Sequence, residues 1–190
     1  MLKDLSRVYM LEGFRYLSNK KMNSAILNLE KSILFDDNNC EAMNLLGLCF
    51  YTLGSFKEAK SIWNRSCLIN SKEDNRALSY CNSLEEEEFK ALYNSYNEAL
   101  KNAKDGQYKK ADRILKDEIL IKSNIVPFIK LKGLCKLAAG NRVKAVSLWR
   151  QALEINNEDM EVVKYIADST DSNGEGTVIY NFFRNIFKRK

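Results

Sequence analysis

Residues 47–70 read GLCFYTLGSFKEAKSIWNRSCLIN, and residues 133–156, 86 positions further along, read GLCKLAAGNRVKAVSLWRQALEIN. The two segments align without a gap and share nine identical residues. In the first segment these are Gly47, Leu48, Cys49, Gly54, Ala59, Ser61, Trp63, Ile69 and Asn70. Self-similarity at a fixed offset is the sequence signature of repeat architectures. The alignment therefore indicates a tandem duplication of a unit of 86 residues.

Each duplicated unit contains a shorter repeat with a step of 34 residues. A small residue is followed twelve positions later by an alanine, and four positions after that by a large apolar residue. The four sets are Gly13, Ala25 and Leu29; Gly47, Ala59 and Trp63; Ala99, Ala111 and Leu115; and Gly133, Ala145 and Trp149. Small residues let two helix backbones approach closely, and the large residue fills the space beside them. The pattern predicts paired helices.

This arrangement of Gly and Ala resembles the tetratricopeptide repeat (TPR) family over roughly residues 6–73 and 92–159. The resemblance implies an all-α fold, an α-solenoid of four helical hairpins in two duplicated units. The proline that usually ends each repeat is absent here. Its positions hold Asp37, Ser71, Ser123 and Asn157.

The phasing of the repeats predicts the domain organisation. Residues 1–83 and 84–168 form the two units, each closed by a short extra helix, over 74–82 and 160–168. A polar linker, 169–176, leads to a C-terminal helix, 177–190. Glycines at positions 54, 106 and 140 are expected to end first helices, because glycine is favoured just beyond a helix C-terminus. Predicted N-terminal caps are Ser55, Ser83, Asn141 and Thr177.

Composition excludes several kinds of chemistry. The chain has no His, so imidazole cannot serve as a base, a proton shuttle or a metal ligand. Its five Cys form no C-x-x-C pair and are expected to be reduced and mostly buried, with a redox-sensing or metal-binding role as the alternative. An enzyme would need Cys, Lys or carboxylate chemistry, and no phosphate loop or metal-ligand spacing occurs. We therefore expect a non-catalytic protein without metal or cofactor.

The start of the chain lacks the apolar core of a signal peptide, and no window approaches 18 uninterrupted apolar residues. A cytoplasmic location is expected, with a peripheral membrane association as a further possibility. The Lys-, Asn- and Ile-rich composition is typical of a bacterium with low genomic G+C content.

In the TPR family, the first helix of each repeat lines a concave surface that binds peptides. The resemblance implies that the corresponding positions here form a mainly apolar groove, called the predicted groove below. They are Arg7, Met10, Phe14, Leu17, Asn44, Leu48, Tyr51, Tyr93, Tyr96, Leu100, Lys130, Leu134 and Leu137. About half of them are expected to pack between repeats. The Lys, Arg and Asn set with which some relatives grip a peptide C-terminus is missing, since Met10 and Phe14 occupy first-repeat positions of that set.

An apolar groove suits an amphipathic helix or an apolar extended segment of a protein partner. The first functional hypothesis is therefore a scaffold or adaptor that binds a protein or peptide.

The C-terminal segment has apolar residues at helical spacing: Val178, Ile179, Phe182, Phe183, Ile186 and Phe187. It also carries four basic residues and no acidic one, which leaves the rest of the chain at +1 of the total +5. This distribution argues against a nucleic-acid partner, because a nucleic-acid surface needs a broader basic patch. The helix could dock on its own array, dock on a second copy to form a homodimer, or lie on an anionic membrane. The last option makes the protein a peripheral membrane adaptor, the alternative function.

Overall fold

Helices make up the ordered framework of this computed structural model, which describes residues 1–72, 75–115, 124–170 and 174–188. Within those ranges the chain forms eleven helices and no strand. In chain order they are α1 (Leu2–Ser18), α2 (Met22–Phe35), α3 (Cys40–Thr52), α4 (Phe56–Ile69), α5 (Ala77–Glu85), α6 (Glu87–Lys104), α7 (Tyr108–Ile114), α8 (Val126–Ala138), α9 (Arg142–Ile155), α10 (Met160–Thr170) and α11 (Gly174–Lys188). The predicted all-α fold is confirmed.

Contacts divide the chain into two compact units, Met1–Lys90 and Ala91–Lys190, with the division inside α6. In the first unit α1 packs on α2, α2 on α3, α3 on α4, and α4 on α5. In the second unit α7 packs on α8, α8 on α9, and α9 on α10. The boundary between residues 83 and 84 that the repeats suggest stays a prediction.

Small residues on the first helices leave room for large side chains from the second helices. An ideal Cβ built on Gly47 would lie 2.5 Å from Cδ1 of Trp63, and one built on Gly133 would lie 2.7 Å from Cδ1 of Trp149. Such distances are shorter than real Cβ contacts, so only glycine fits beside each indole. The alanines of the pattern, Ala25, Ala59, Ala111 and Ala145, are fully buried.

Left-handed residues end the first helices at four equivalent positions. Gly54, Gly106 and Gly140 have φ of 79°, 75° and 81°, which confirms the predicted turns. Lys20 occupies the same position in the first hairpin with φ of 62°, although it has a Cβ. In each hairpin the residue after the left-handed one closes the turn. Its N–H donates to the carbonyl five residues earlier, as from Ser55 to Phe50 O at 2.8 Å.

Two of the four predicted N-terminal caps are wrong. Ser83 lies inside α5, where its hydroxyl donates to Tyr80 O at 2.7 Å, and the next helix begins only at Glu87. Thr177 lies inside α11, which begins at Gly174. Glycine adopts helical dihedrals at a cost of about 1 kcal/mol, so the predicted linker contributes residues to the helix. The remaining linker residues, 171–173, lie outside the described residues.

The other two predicted caps occupy the N-cap position. Asn141 Oδ1 accepts from the Lys144 N–H at 3.1 Å, as expected. Ser55 makes no side-chain capping bond. The sequence reading did not identify Asn39, whose side chain accepts from the Ala42 N–H and also donates to Ser6 and Ser32. This side chain therefore caps α3 and ties it to the preceding hairpin.

Candidate functional site

The predicted groove in the first unit lies on α1 and α3, which pack side by side on the second helices. Phe14 is exposed, Leu17 and Leu48 are half-buried, and Met10 is buried. Arg7 is exposed as well. This unit therefore presents a surface of mixed apolar character with one large, solvent-accessible ring.

Tyr51 anchors an aromatic cluster beneath that surface. Its ring centroid lies 5.5 Å from Phe56, 5.8 Å from Phe89 and 6.2 Å from Trp63. Burial raises the pKa of the Tyr51 phenol above its ordinary value. Its half-buried ring thus contributes to the packing of the unit.

Asn44 connects the groove side of α3 to the start of α5. Its amide Nδ2 donates to Asn75 Oδ1 at 2.8 Å, and its backbone carbonyl accepts from Trp63 Nε1 at 3.1 Å. Asn75 in turn donates to Ser66 O and Asn70 O, and it accepts from the Ala77 N–H. A neutral amide pair therefore holds the closing helix of this unit in place.

The second unit covers most of its predicted groove positions. Leu134 and Leu137 on α8 are buried, and Leu100 on α6 is half-buried. Tyr96 stacks on Phe128 with ring centroids 4.3 Å apart. Among the predicted groove residues of the second unit, only Tyr93 is exposed.

Lys130 lies where Asn44 lies in the first unit, 86 residues earlier, and it is only 7% exposed. Its ammonium Nζ lies 3.1 Å from Asp159 Oδ2, contacts Glu161 Oε2, and sits 5.7 Å from the centre of the Tyr165 ring. The Tyr165 hydroxyl donates to Glu161 Oε1 at 2.6 Å. The charge of Lys130 is therefore neutralised within the unit and is not directed at a ligand.

Two further lysines of α8 converge on Asp112 of α7. Lys132 Nζ lies 2.9 Å from Asp112 Oδ1, and Lys136 Nζ lies 2.8 Å from Asp112 Oδ2. Burial alone would raise the pKa of Asp112, but the two ammonium groups outweigh it and hold the pKa below its ordinary value. Lys132 also donates to the carbonyls of Asp112 and Leu115, at the end of α7. This lysine thus satisfies orphan carbonyls of a short helix.

The C-terminal helix α11 packs on α10 and α8 of its own unit. Val178 and Phe182 are buried, and the Phe182 ring centroid lies 6.0 Å from that of Tyr165. Phe183 is half-buried and lies 5.4 Å from Phe182 in an edge-to-face arrangement. The side chains of Ile186 and Phe187 lie outside the described residues.

The outer face of α11 is polar and aromatic. Tyr180 is exposed, and the guanidinium of Arg184 sits 5.7 Å from the centre of its ring. The helix therefore has a buried apolar face against its own unit and an exposed face that includes Tyr180 and Arg184.

Known structures resemble this arrangement. The P58(IPK) TPR domain matches 97% of the chain with a TM-score of 0.51 and 13% sequence identity. The match covers 57% of that structure, so the chain spans little more than half of its length.

The chain has a tetratricopeptide-repeat-like fold.

Two further structures match the TPR-like chain at lower TM-scores. MamA 41-end from Desulfovibrio magneticus RS-1 has 15% identity and a TM-score of 0.39, covering 99% of this chain and 96% of that one. PilF of Pseudomonas aeruginosa has 16% identity and a TM-score of 0.38, covering 96% and 75%. No family model matches the sequence, and no curated protein sequence matches it.

The predicted groove of this TPR-like fold divides by exposure. Arg7, Phe14 and Tyr93 are exposed, while Met10, Lys130, Leu134 and Leu137 are buried. The others are half-buried. Burial follows from packing: residues of a repeat array bury against their neighbours, and the second unit adds α11.

Sequence reasoning missed the partners of the buried lysines. The available signal for Lys130 was a lysine among the mainly apolar residues of α8, because a buried ammonium needs a counter-charge. Glu161 and Asp159 supply it from the start of α10. The spacing of Lys132 and Lys136, four residues apart, likewise marks one helix face that needs an acidic partner.

Cysteine chemistry is suppressed in the buried positions. Burial raises the pKa of the Cys49 thiol to about 12, and burial together with the Asp112 charge raises that of Cys135 to about 12. All five cysteines are free. Across the described ranges, no group of three or more Cys, Asp or Glu side chains is placed to hold a metal ion. No helix there has the length and apolar character needed to cross a membrane.

Proposed function

We propose that this protein is a non-catalytic scaffold that binds a protein or peptide partner through the first helices of its first unit. The contrast between the two units supports this proposal. On α1 and α3, Phe14 is exposed while Leu17 and Leu48 keep part of their surface in solvent. On α8, the equivalent side chains are buried, and α11 packs against that helix. The accessible part of the predicted groove thus lies mainly in the first unit, and Tyr93 is the one exposed groove position of the second unit.

The chemistry of the accessible surface favours an apolar ligand. Phe14 is exposed and Leu48 is half-buried, so both side chains offer apolar contact. Lys130, the one basic residue among the predicted groove positions of the second unit, is already held by two acidic side chains. The partner we propose is therefore an amphipathic helix or an apolar extended segment.

In this proposal, α11 covers part of the second unit, either permanently or until another segment replaces it. It supplies Val178 and Phe182 at a spacing of four residues, as an amphipathic partner helix would. Docking on its own unit accounts for the burial of both residues without a second copy. The homodimer that the tail could form by docking on another chain would first require this contact to open.

Site-specific crosslinking tests the groove. A photoreactive phenylalanine analogue replaces Phe14 in the full chain, and the matched control replaces Leu68, which is exposed on α4 away from the groove. Irradiation in the native cell should yield a partner adduct from position 14 that is absent from position 68. Self-crosslinked chain does not count as an adduct. The same adduct pattern at both positions, or none at either, would refute partner binding at this surface.

Liposome binding distinguishes the scaffold proposal from the membrane-adaptor alternative. Phe182→Glu, Phe183→Glu places two carboxylates in the apolar face of α11, whereas the matched control Tyr180→Glu changes an exposed position. The scaffold proposal expects the unmodified chain to stay in solution with vesicles that contain anionic lipid. Retention of the unmodified chain on those vesicles, lost in Phe182→Glu, Phe183→Glu, would favour the membrane role.

A further inference from the structure

Helix α1 carries an exposed line of side chains on the side opposite α2. Asp4, Val8, Leu11 and Arg15 follow one another at spacings of four, three and four residues, which places them along one face of a helix. Their exposures are 86%, 55%, 52% and 61%. The opposite face, with Ser6, Met10 and Gly13, is buried. We call these four exposed residues the α1 stripe.

The α1 stripe has charged ends and an apolar centre. Val8 and Leu11 both leave more than half of their surface in water, and Leu5 beside them is exposed as well. Single exposed apolar residues are ordinary, but adjacent ones on a single helix are typical of an interaction surface. The ends of the stripe carry opposite charges, with Asp4 near the N-terminus of α1 and Arg15 near its C-terminus.

This order of residues is complementary to itself in the antiparallel direction. If two copies of α1 pack antiparallel about a two-fold axis that passes between residues 9 and 10, Asp4 lies level with Arg15 of the second copy. Val8 then lies level with Leu11 of the second copy. A two-fold interface uses the same patch on both chains, so every such match occurs twice. A parallel arrangement would instead place Asp4 beside Asp4 and Arg15 beside Arg15.

We infer that the protein forms a homodimer through antiparallel packing of the α1 stripe on that of a second copy. The salt bridges that Asp4 and Arg15 already form do not prevent this antiparallel packing. Asp4 lies 2.8 Å from the N-terminal ammonium, and Arg15 lies 2.7 Å from Glu12. Both are exposed pairs within one helical turn, a class that contributes little to stability. None of the four stripe residues is a predicted groove residue, so the dimer can be tested separately from the proposed partner.

Sedimentation velocity of the full chain over a concentration series tests the inference. The chain should convert from monomer to dimer as its concentration rises. Leu11→Glu should raise the dimer dissociation constant at least about tenfold, because it places two carboxylates at the apolar centre. The matched control is Leu34→Glu on α2, where the leucine is 80% exposed but lies outside the stripe. This control should leave the dissociation constant unchanged. A monomer at every concentration, or equal dimerisation by Leu11→Glu and the control, would overturn the inference.

Charge exchange tests the antiparallel register. Asp4→Arg and Arg15→Asp should each weaken the dimer, since each places like charges level with one another. The double variant should recover dimerisation, because the exchanged charges again face their opposites. Failure of the double variant to recover would overturn the proposed register. Circular dichroism should show unchanged helix content in each variant.

Discussion

Replacing Gly47 with alanine tests the packing on which the hairpin fold depends. The added methyl group would meet the Trp63 indole, whose Cδ1 and Cε2 atoms both lie 2.5 Å from the ideal Cβ position. Trp63 is almost fully buried and donates its indole N–H to Asn44 O at 3.1 Å. The ring is also confined by Tyr80, with centroids 5.1 Å apart. The indole must therefore shift, and its hydrogen bond must lengthen or break.

Three contributions set the size of the effect. Overpacking of a tight core costs about 2 kcal/mol, and loss of the indole hydrogen bond costs about 1 kcal/mol. Alanine in place of glycine in a helix returns about 1 kcal/mol. We therefore expect Gly47→Ala to lower the free energy of unfolding by about 2 kcal/mol. Gly13→Ala should lower the free energy of unfolding by less. The group beside Gly13 is the Leu29 side chain, whose Cγ lies 2.8 Å from the ideal Cβ position, and no hydrogen bond is lost.

Urea denaturation followed by circular dichroism and tryptophan fluorescence measures the change. With an m-value of about 2 kcal/mol/M, the urea midpoint should fall by about 1 M. Repeating Gly47→Ala in a Trp63→Phe background should give a smaller loss, since the smaller ring relieves the clash and the two substitutions are coupled. An unchanged or raised midpoint for Gly47→Ala, or a loss no greater than that of Gly13→Ala, would refute this account of the packing.

Lys20→Gly should raise the free energy of unfolding by about 1 kcal/mol in the same assay, because the left-handed backbone there disfavours a Cβ. Lys130→Met should lower it by about 3 kcal/mol by leaving two largely buried carboxylates without their counter-charge, and a loss under half of that value would contradict the ion network around Lys130. The Asp112 ion pairs should stabilise the fold fully above the ordinary aspartate pKa of 3.8, with the contribution lost as pH falls through the lower folded value. Acid titration monitored by circular dichroism should show this loss, and Asp112→Asn should flatten it. Cys49, with a pKa of about 12, should resist thiol reagents at pH 8 until urea unfolds the chain, as mass spectrometry of labelled peptides would show.

The sequence was sufficient to predict the features that recur at a fixed period. Gly47 and Trp63 return as Gly133 and Trp149, so one packing rule applied twice predicts helix pairing in both units. The turns at Gly54, Gly106 and Gly140 were predictable for the same reason. Lys20 was not, because nothing in a lysine indicates a left-handed backbone, which the surrounding hairpin imposes.

Other features depend on contacts between segments far apart in the chain. The end of α7 is held by Lys132 of the following helix, so it could not be read from the residues of α7 alone. The groove itself stays a prediction, and the sequence did not indicate how exposed each of its residues is. Leu134 has the pattern of a groove residue, yet it is buried, because exposure depends on the packing of α8 against its neighbours.

The polar contacts at the ends of the two units differ in a way that matters for a duplicated chain. Asn44 meets Asn75 through neutral amides in the first unit, while Lys130 meets Asp159 and Glu161 through full charges in the second. While the chain folds, a first helix of one duplicated unit could pack in the place of its counterpart in the other unit. Such an exchange would bury Lys130 beside an uncharged amide and leave the acidic pair facing Asn44, each arrangement costing several kcal/mol. The divergence of these contacts therefore favours the pairing of each first helix with the closing helix of its own unit.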